Sequence, residues 1–317
     1  MCGITGLFLK NRELTKDLGA LFEPMLLQMS QRGPDSAGFA IYRDPTSAPR
    51  IKVVLQSSDP AFDWQELAAV LQASLDPDLT ITPIHNHCLV LLAADEATFK
   101  QALAQSLKAL PSPPALTRDP VNIVSIGRHI EIYKEVGTPQ DVATCFGLSE
   151  MAGSHAIGHT RMATESAVTT AGSHPFSTGR DVCLVHNGSL SNHNWLRRNL
   201  ISQGAVFTTD NDTEVAAQYF DIKLQQGASL EEAMTSALGD LDGFYTFCIG
   251  TSNGFAVLRD PIACKPAVMA ETDDWVAIGS EFRALAELPD IGHAEIWEPE
   301  PAVPYLWENA LDVPLAL

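Results

Sequence analysis

Four short apolar runs crowd the C-terminal third of the chain: FYTFCIGT (244–251), GFAVLRD (254–260), WVAIGSE (275–281) and AEIWE (294–298). They read as successive strands joined by short turns. Two further strand-like runs, HAIGHTR (155–161) and DVCLVHNG (181–188), come before a helix over 213–226, opened by DTE. Ser229 and Glu232 have the spacing of a capping box, which predicts another helix at 230–238. At the N-terminus, ITGLFL (4–9) reads as a short buried strand. Residues 17–30 then place Leu18, Leu21, Phe22, Met25, Leu26 and Met29 at helical spacing, and Pro24 inside that pattern predicts a kink or a later start. QRGPDSAG (31–38) is a turn-rich loop before the strand FAIY (39–42). Strands, then helices, then strands again fit stacked sheets flanked by helices better than a parallel doubly wound sheet.

Residues 45–137 have a different character. Pro- and Ser-containing joints, DPTSAP and LPSPPALTRDP, flank a regular pattern of strands at 51–56, 79–84, 88–94 and 121–126 and helices at 63–75 and 95–110. That order is a compact βαββαβ module, read as an inserted subdomain. The whole chain of 317 residues is long for one domain and short for two large ones. Its formal charge of −19 and its lack of any Lys- or Arg-rich run argue against nucleic acid or an anionic membrane as partner. No apolar run approaches the roughly 20 residues of a membrane span, and no secretory signal is expected at the N-terminus. Six scattered cysteines without CxxC spacing suggest neither a zinc site nor a disulfide framework, and fit a reducing cytoplasm. HNHC (85–88) reads as surface residues rather than a metal cluster, and Cys183, Cys248 and Cys264 read as packing.

The chemistry begins at MCGI. A cysteine behind the initiator Met is small enough for that Met to be trimmed, leaving Cys2 with a thiol and a free α-amine. The amine titrates near ~7.7–8.0, so the nucleophile would carry its own base. Three later segments matter beside it. In IGHTRMATES (157–166), Arg161 could hold a carboxylate through two parallel hydrogen bonds, or be a surface arginine in an ion pair. In VHNGSLSN (185–192), Asn187 and Gly188 could form a hairpin turn or an oxyanion hole. In TDNDTEV (209–215), the acidic residues could cap a helix or hold a substrate ammonium.

The ordered set MCGI, QRGPDSAG, HTRMAT, SHPF, HNGSLSN and DNDTE resembles the class II glutamine amidotransferases, the N-terminal-cysteine branch of the N-terminal-nucleophile hydrolases. The resemblance covers residues 2–44 and roughly 150–300 and misses the insert. It implies an α+β fold, a four-layer αββα sandwich. The glutaminase domain would span 2–44 and 138–300, with the α/β module 45–137 inserted and 301–317 as a C-terminal tail. It implies that Cys2 is the nucleophile, its α-amine the general base, and Asn187 and Gly188 the oxyanion hole. Arg161 would hold the α-carboxylate of glutamine and Asp212 its α-ammonium. Thr164 and His174 match positions lining the glutamine pocket, and Arg32 matches a residue packed near the N-terminus. The 162–172 stretch is rich in Ala, Thr and Ser, as a closing lid would be. Met162 and Glu165 depart from relatives with an aromatic residue and a histidine there.

No metal is expected and no cofactor in this chain. The expected product is ammonia for a separate synthase subunit. Length, glutaminase and insert are similar to the small amidotransferase subunits of N-methylglutamate synthase and glutamate-synthase-like complexes. In those, flavin (FMN) and iron–sulfur centres would lie in partner chains. Two alternatives stand beside this one: a stand-alone hydrolase of γ-glutamyl amides, and a non-catalytic subunit that senses glutamine.

Overall fold

The computed structural model describes residues 2–110, 121–162 and 168–308. The chain opens with β1 (Gly3–Leu9), α1 (Leu18–Gln28) and β2 (Ser36–Tyr42). Next come β3 (Arg50–Ser57), α2 (Trp64–Ser74), β4 (Thr80–Ile84), β5 (His87–Ala93), α3 (Glu96–Ala109) and β6 (Val121–Gly127). They are followed by β7 (Ile130–Val136), α4 (Pro139–Phe146), β8 (His155–Arg161), β9 (Cys183–Leu190), α5 (His193–Ser202), α6 (Asp212–Gln225) and α7 (Leu230–Asp240). The last strands are β10 (Gly243–Thr251), β11 (Gly254–Arg259), β12 (Val268–Glu271), β13 (Trp275–Gly279), β14 (Glu295–Trp297) and β15 (Tyr305–Glu308).

Every residue of β1 is buried, as a strand covered on both faces must be. It pairs antiparallel with β13 and β8 in the middle of a seven-stranded sheet ordered β14-β12-β13-β1-β8-β2-β7. A second sheet is ordered β15-β11-β10-β9. The two sheets face each other across an apolar core that includes Ile4, Phe8, Val185, Cys248 and Val257. Phe8 of β1 meets Phe255 of β11 edge-on at 6.1 Å, and each such fully buried ring stabilises the sandwich by about 1.5–3 kcal/mol. α1 and α4 cover the outer face of the larger sheet. α6 and α7 cover the smaller one, with Phe220, Met234 and Phe247 packed between. The layers therefore run α, β, β, α. The capping box at Ser229 is formed, opening α7. α1 starts at Leu18 and runs through Pro24, so no later start occurs. Among the described residues no helix is long and apolar enough to cross a membrane.

The inserted module has its own sheet, ordered β4-β5-β3-β6, and its own core around Val53, Trp64, Leu71, Val90 and Phe99. Its expected end at residue 137 needs correction. β7 leaves that sheet and pairs antiparallel with β2, from Tyr42↔Ile130 to Ser36↔Val136. The switch is made at residues 128–130, whose three N–H groups all donate to the Asp181 carboxylate. Residues 301–317 are not wholly a tail either. Tyr305–Glu308 pairs with β11 as an edge strand, and 309–317 lie outside the described residues. Cys264, expected to be a packing residue, is exposed.

Candidate active site

Cys2 heads β1 at the rim of the sandwich, half-buried, with its Sγ 4.0 Å from the Met162 carbonyl. The glycine after it has a steric cause. A Cβ at Gly3 would lie 2.7 Å from Thr160 Oγ1 and 2.8 Å from Met29 Cβ, so a larger residue would push β1 away from β8 and α1. The Cys2 carbonyl accepts Arg32 Nε at 3.0 Å and Asn187 Nδ2 at 3.2 Å. Arg32 is buried, and its Nη1 lies 2.6 Å from the Glu281 carboxylate, which also receives Arg283 at 2.7 Å. Ser280 Oγ accepts the Ile4 N–H at 2.9 Å. The residues just past β13 thus pin the first residues of β1.

The HNG segment is no hairpin turn. Asn187 and Gly188 lie inside β9, opposite Thr246 and Tyr245 of β10. Strand alternation sends the Asn187 side chain toward the large sheet and Cys2, while His186 points the other way, toward α6. Gly188 has φ +155°, and a Cβ there would lie 2.0 Å from the Phe244 carbonyl, so the position admits only glycine. At the start of α6 the N-cap is Asn211, whose side chain accepts the Thr213 N–H at 2.9 Å. Asp212 is therefore not the cap. Its Oδ2 accepts the Leu190 N–H at 2.9 Å, and its Oδ1 lies 3.8 Å from His186 Nδ1.

Behind these groups lie three buried histidines. His159 of β8 stacks on His174 with ring centroids 3.9 Å apart. His159 Nε2 donates to the His186 carbonyl at 3.0 Å. The Thr213 hydroxyl bridges His186 Nδ1 at 3.1 Å and His174 Nε2 at 3.2 Å. Burial holds His159 and His174 neutral: it lowers the pKa of His159 to about 3 and that of His174 well below the ordinary value. Burial also lowers His186, with the Asp212 carboxylate pulling the other way. The two neutral stacked rings form a polar wall that adds no charge beside Arg161.

The structure brings Cys2, Arg32 and Asn187 into one contact set, with Gly188 the next residue of β9. It links His174 to the first turn of α6, where Asp212 lies, through Thr213. Arg161 is buried at the end of β8, its carbonyl accepting the Asp35 N–H at 3.1 Å. A Cβ on Gly172 would lie 3.5 Å from Arg161 Nη1, so that turn packs against the guanidinium. Thr164 and the neighbouring lid residues, 163–167, lie outside the described residues, while 162 and 168–172 are described. The HNHC histidines diverge: His85 is exposed, and His87 is buried edge-on against Phe146 at 4.9 Å, contrary to a surface reading. Among the described residues no group of His, Cys, Asp or Glu could hold a metal ion. Sequence reasoning passed over His159, His186, Thr213 and Glu281. The first two stand two residues before Arg161 and Gly188, a strand period that puts each pair on one face. Glu281 had no local signal, because its partner Arg32 is 249 residues away in the chain.

Residues 159–287 match the family described as a glutamine amidotransferase domain. The chain is 53% identical over 309 residues to a glutamine amidotransferase-like protein, GlxB, of Rhizobium meliloti, covering 98% of this chain and 99% of that one. It is 33% identical over 302 residues to a putative glutamine amidotransferase of Methanothermobacter thermautotrophicus, covering 93% and 96%. Among solved structures it resembles the glutamine phosphoribosylpyrophosphate amidotransferase of B. subtilis, with a TM-score of 0.58 at 19% identity. That likeness is one of fold; it covers 98% of this chain and 50% of that one.

Proposed function

The chain belongs to the class II glutamine amidotransferases, and from that premise we propose that it hydrolyses glutamine to glutamate and ammonia with Cys2 as nucleophile. One observation carries the reading: the Asn187 amide and the Arg32 guanidinium converge on the backbone of Cys2 at the head of the central strand. Loss of Met1 frees the Cys2 α-amine, which takes the thiol proton through a water. The thiolate attacks the side-chain carboxamide carbon of glutamine. The oxyanion forms against the Gly188 N–H and the second N–H of the Asn187 amide, the first being held by the Cys2 carbonyl. The protonated amine passes its proton to the leaving nitrogen, ammonia departs, and water hydrolyses the thioester to release glutamate. Arg161 holds the α-carboxylate and Asp212 the α-ammonium, with Thr164 and His174 lining the pocket.

Clamping of both α-groups has a direct test. Arg161→Lys keeps the charge but loses the planar fork, so it raises the KM for glutamine more than it lowers kcat. Asp212→Asn does the same through the ammonium end. Glutamine acetylated on its α-nitrogen is a poor substrate. Its turnover at the rate of glutamine would remove Asp212 from this role.

In this reading the ammonia is used by a separate synthase subunit in the cytoplasm. The assembly is of the N-methylglutamate synthase or glutamate-synthase-like kind, with any flavin or iron–sulfur centre held by partner chains. The insert is the docking element. Among the described residues its outer strand β4 is an edge, with Thr80 and Thr82 exposed, the kind of edge to which a partner strand can add. Thr80→Lys with Thr82→Lys should weaken co-purification of the synthase and uncouple glutamine use from product formation, while hydrolysis by the isolated chain is unchanged. Normal assembly and coupling by that variant would place the docking surface elsewhere.

A further inference from the structure

Two side chains of β7 take no part in the reaction above, yet both end on the turn beside it. Lys134 is buried, and its ammonium donates to three backbone carbonyls of one segment: Ala171 at 3.1 Å, Ser173 at 2.8 Å and Pro175 at 3.3 Å. All three of its N–H donors are used in this way. The Phe176 ring lies 4.6 Å from the same nitrogen. The Glu135 carboxylate accepts the Thr170 hydroxyl on Oε1 and the Asn86 side-chain amide on Oε2. Asn86 sits in the turn between β4 and β5 of the insert.

The far side of the same segment meets the glutamine-binding residues. Asn211 Nδ2 donates to the Gly172 carbonyl at 3.3 Å, Arg161 packs against Gly172, and His174 stacks on His159. The turn is also closed on itself, with the Gly172 N–H donating to Thr169 Oγ1 and the Ser173 N–H to the Thr170 carbonyl, each at 3.1 Å. It is therefore gripped between β7 and the site. We propose that Lys134 and Glu135 are positioning residues that hold the 170–175 turn in its glutamine-binding position, and that Glu135 ties this turn to the insert through Asn86. This rests on the reading that glutamine lies between Arg161 and Asp212. Its consequence is that the docking element and the substrate pocket share one carboxylate, so a change at the insert reaches glutamine affinity without touching substrate.

The test uses the full chain, steady-state ammonia release, and titration of the Cys2 thiol to count active sites. Loss of one charge-assisted hydrogen bond at the turn corresponds to about a tenfold effect. Glu135→Ala and Thr170→Val should each raise the KM for glutamine about tenfold, with kcat per titrated site within about twofold. Glu135→Gln, which keeps an acceptor, should recover part of the loss. Asn86→Ala should raise KM by a smaller factor although it lies in the insert. Combined with Thr170→Val, it should raise KM by less than the product of the two single effects, since both act through Glu135. Lys134→Met should raise KM at least as much as Glu135→Ala; if it fails to fold, the Glu135 and Thr170 variants carry the test. A wild-type KM in Glu135→Ala and Thr170→Val, or a loss only of titratable sites, would overturn the positioning role. Fully multiplicative effects of Asn86 and Thr170 would overturn the tie to the insert. A wild-type chain that turns over no glutamine would instead overturn the functional reading beneath it.

Discussion

Cys2→Ala abolishes ammonia release from glutamine while leaving the thermal midpoint near that of the wild type. The two halves of this expectation have separate causes. The thiol is a reactant that forms the acyl bond, and no neighbouring group can replace it, since the other described cysteines lie elsewhere in the fold. The side chain, by contrast, contributes little to packing. It is half-buried, and its Sγ makes only a long 4.0 Å approach to the Met162 carbonyl. A change of that kind is worth within about ±0.5 kcal/mol of stability. Purified variant and wild type, compared by ammonia assay and thermal unfolding, decide the matter. Mass spectrometry of the wild type should show a mature chain beginning at Cys2. Ammonia release by Cys2→Ala at the wild-type rate would remove the nucleophile from the mechanism.

Asn187→Ala lowers kcat by roughly 10²–10³ with little change in KM, the size expected when one oxyanion donor is lost. The amide has two N–H groups, and one already binds the Cys2 carbonyl at 3.2 Å. That bond orients the side chain, and the other N–H meets the charge that appears only in the transition state. The fold tolerates the change because the Cys2 carbonyl keeps its bond from Arg32 at 3.0 Å. Steady-state kinetics separate the outcomes. Equal falls in kcat and kcat/KM mark a donor used only in the transition state, whereas a rise in KM alone would make Asn187 a ground-state binding residue.

Most secondary structure was legible in the chain because its causes are local. The short apolar runs of the strands, buried on both faces, and the capping box at Ser229 and Glu232 are written within a few residues. The order of the site motifs was equally plain, since each of HTR, HNG and DTE falls at the end of an element or inside one strand. Gly3 and Gly188 were visible as glycines, but their reason, a close approach by Thr160 in one case and by Phe244 in the other, was not.

What tertiary structure alone decided is which sheet a strand joins and which distant groups meet. β6 and β7 are separated by two residues yet belong to different sheets. The choice rests on β2, roughly ninety residues earlier in the chain, whose register with β7 buries Ile130 and Ile132 in the main core, and on Asp181, which accepts the three N–H groups at the switch. The Arg32–Glu281 pair and the His159–His174–His186 group, bridged by Thr213, have the same character. Each joins residues from elements far apart in the chain, so no local periodicity encodes it. These contacts arise because burial in the sandwich removes water, and a polar group left there must find its partner in whichever strand or helix packs beside it.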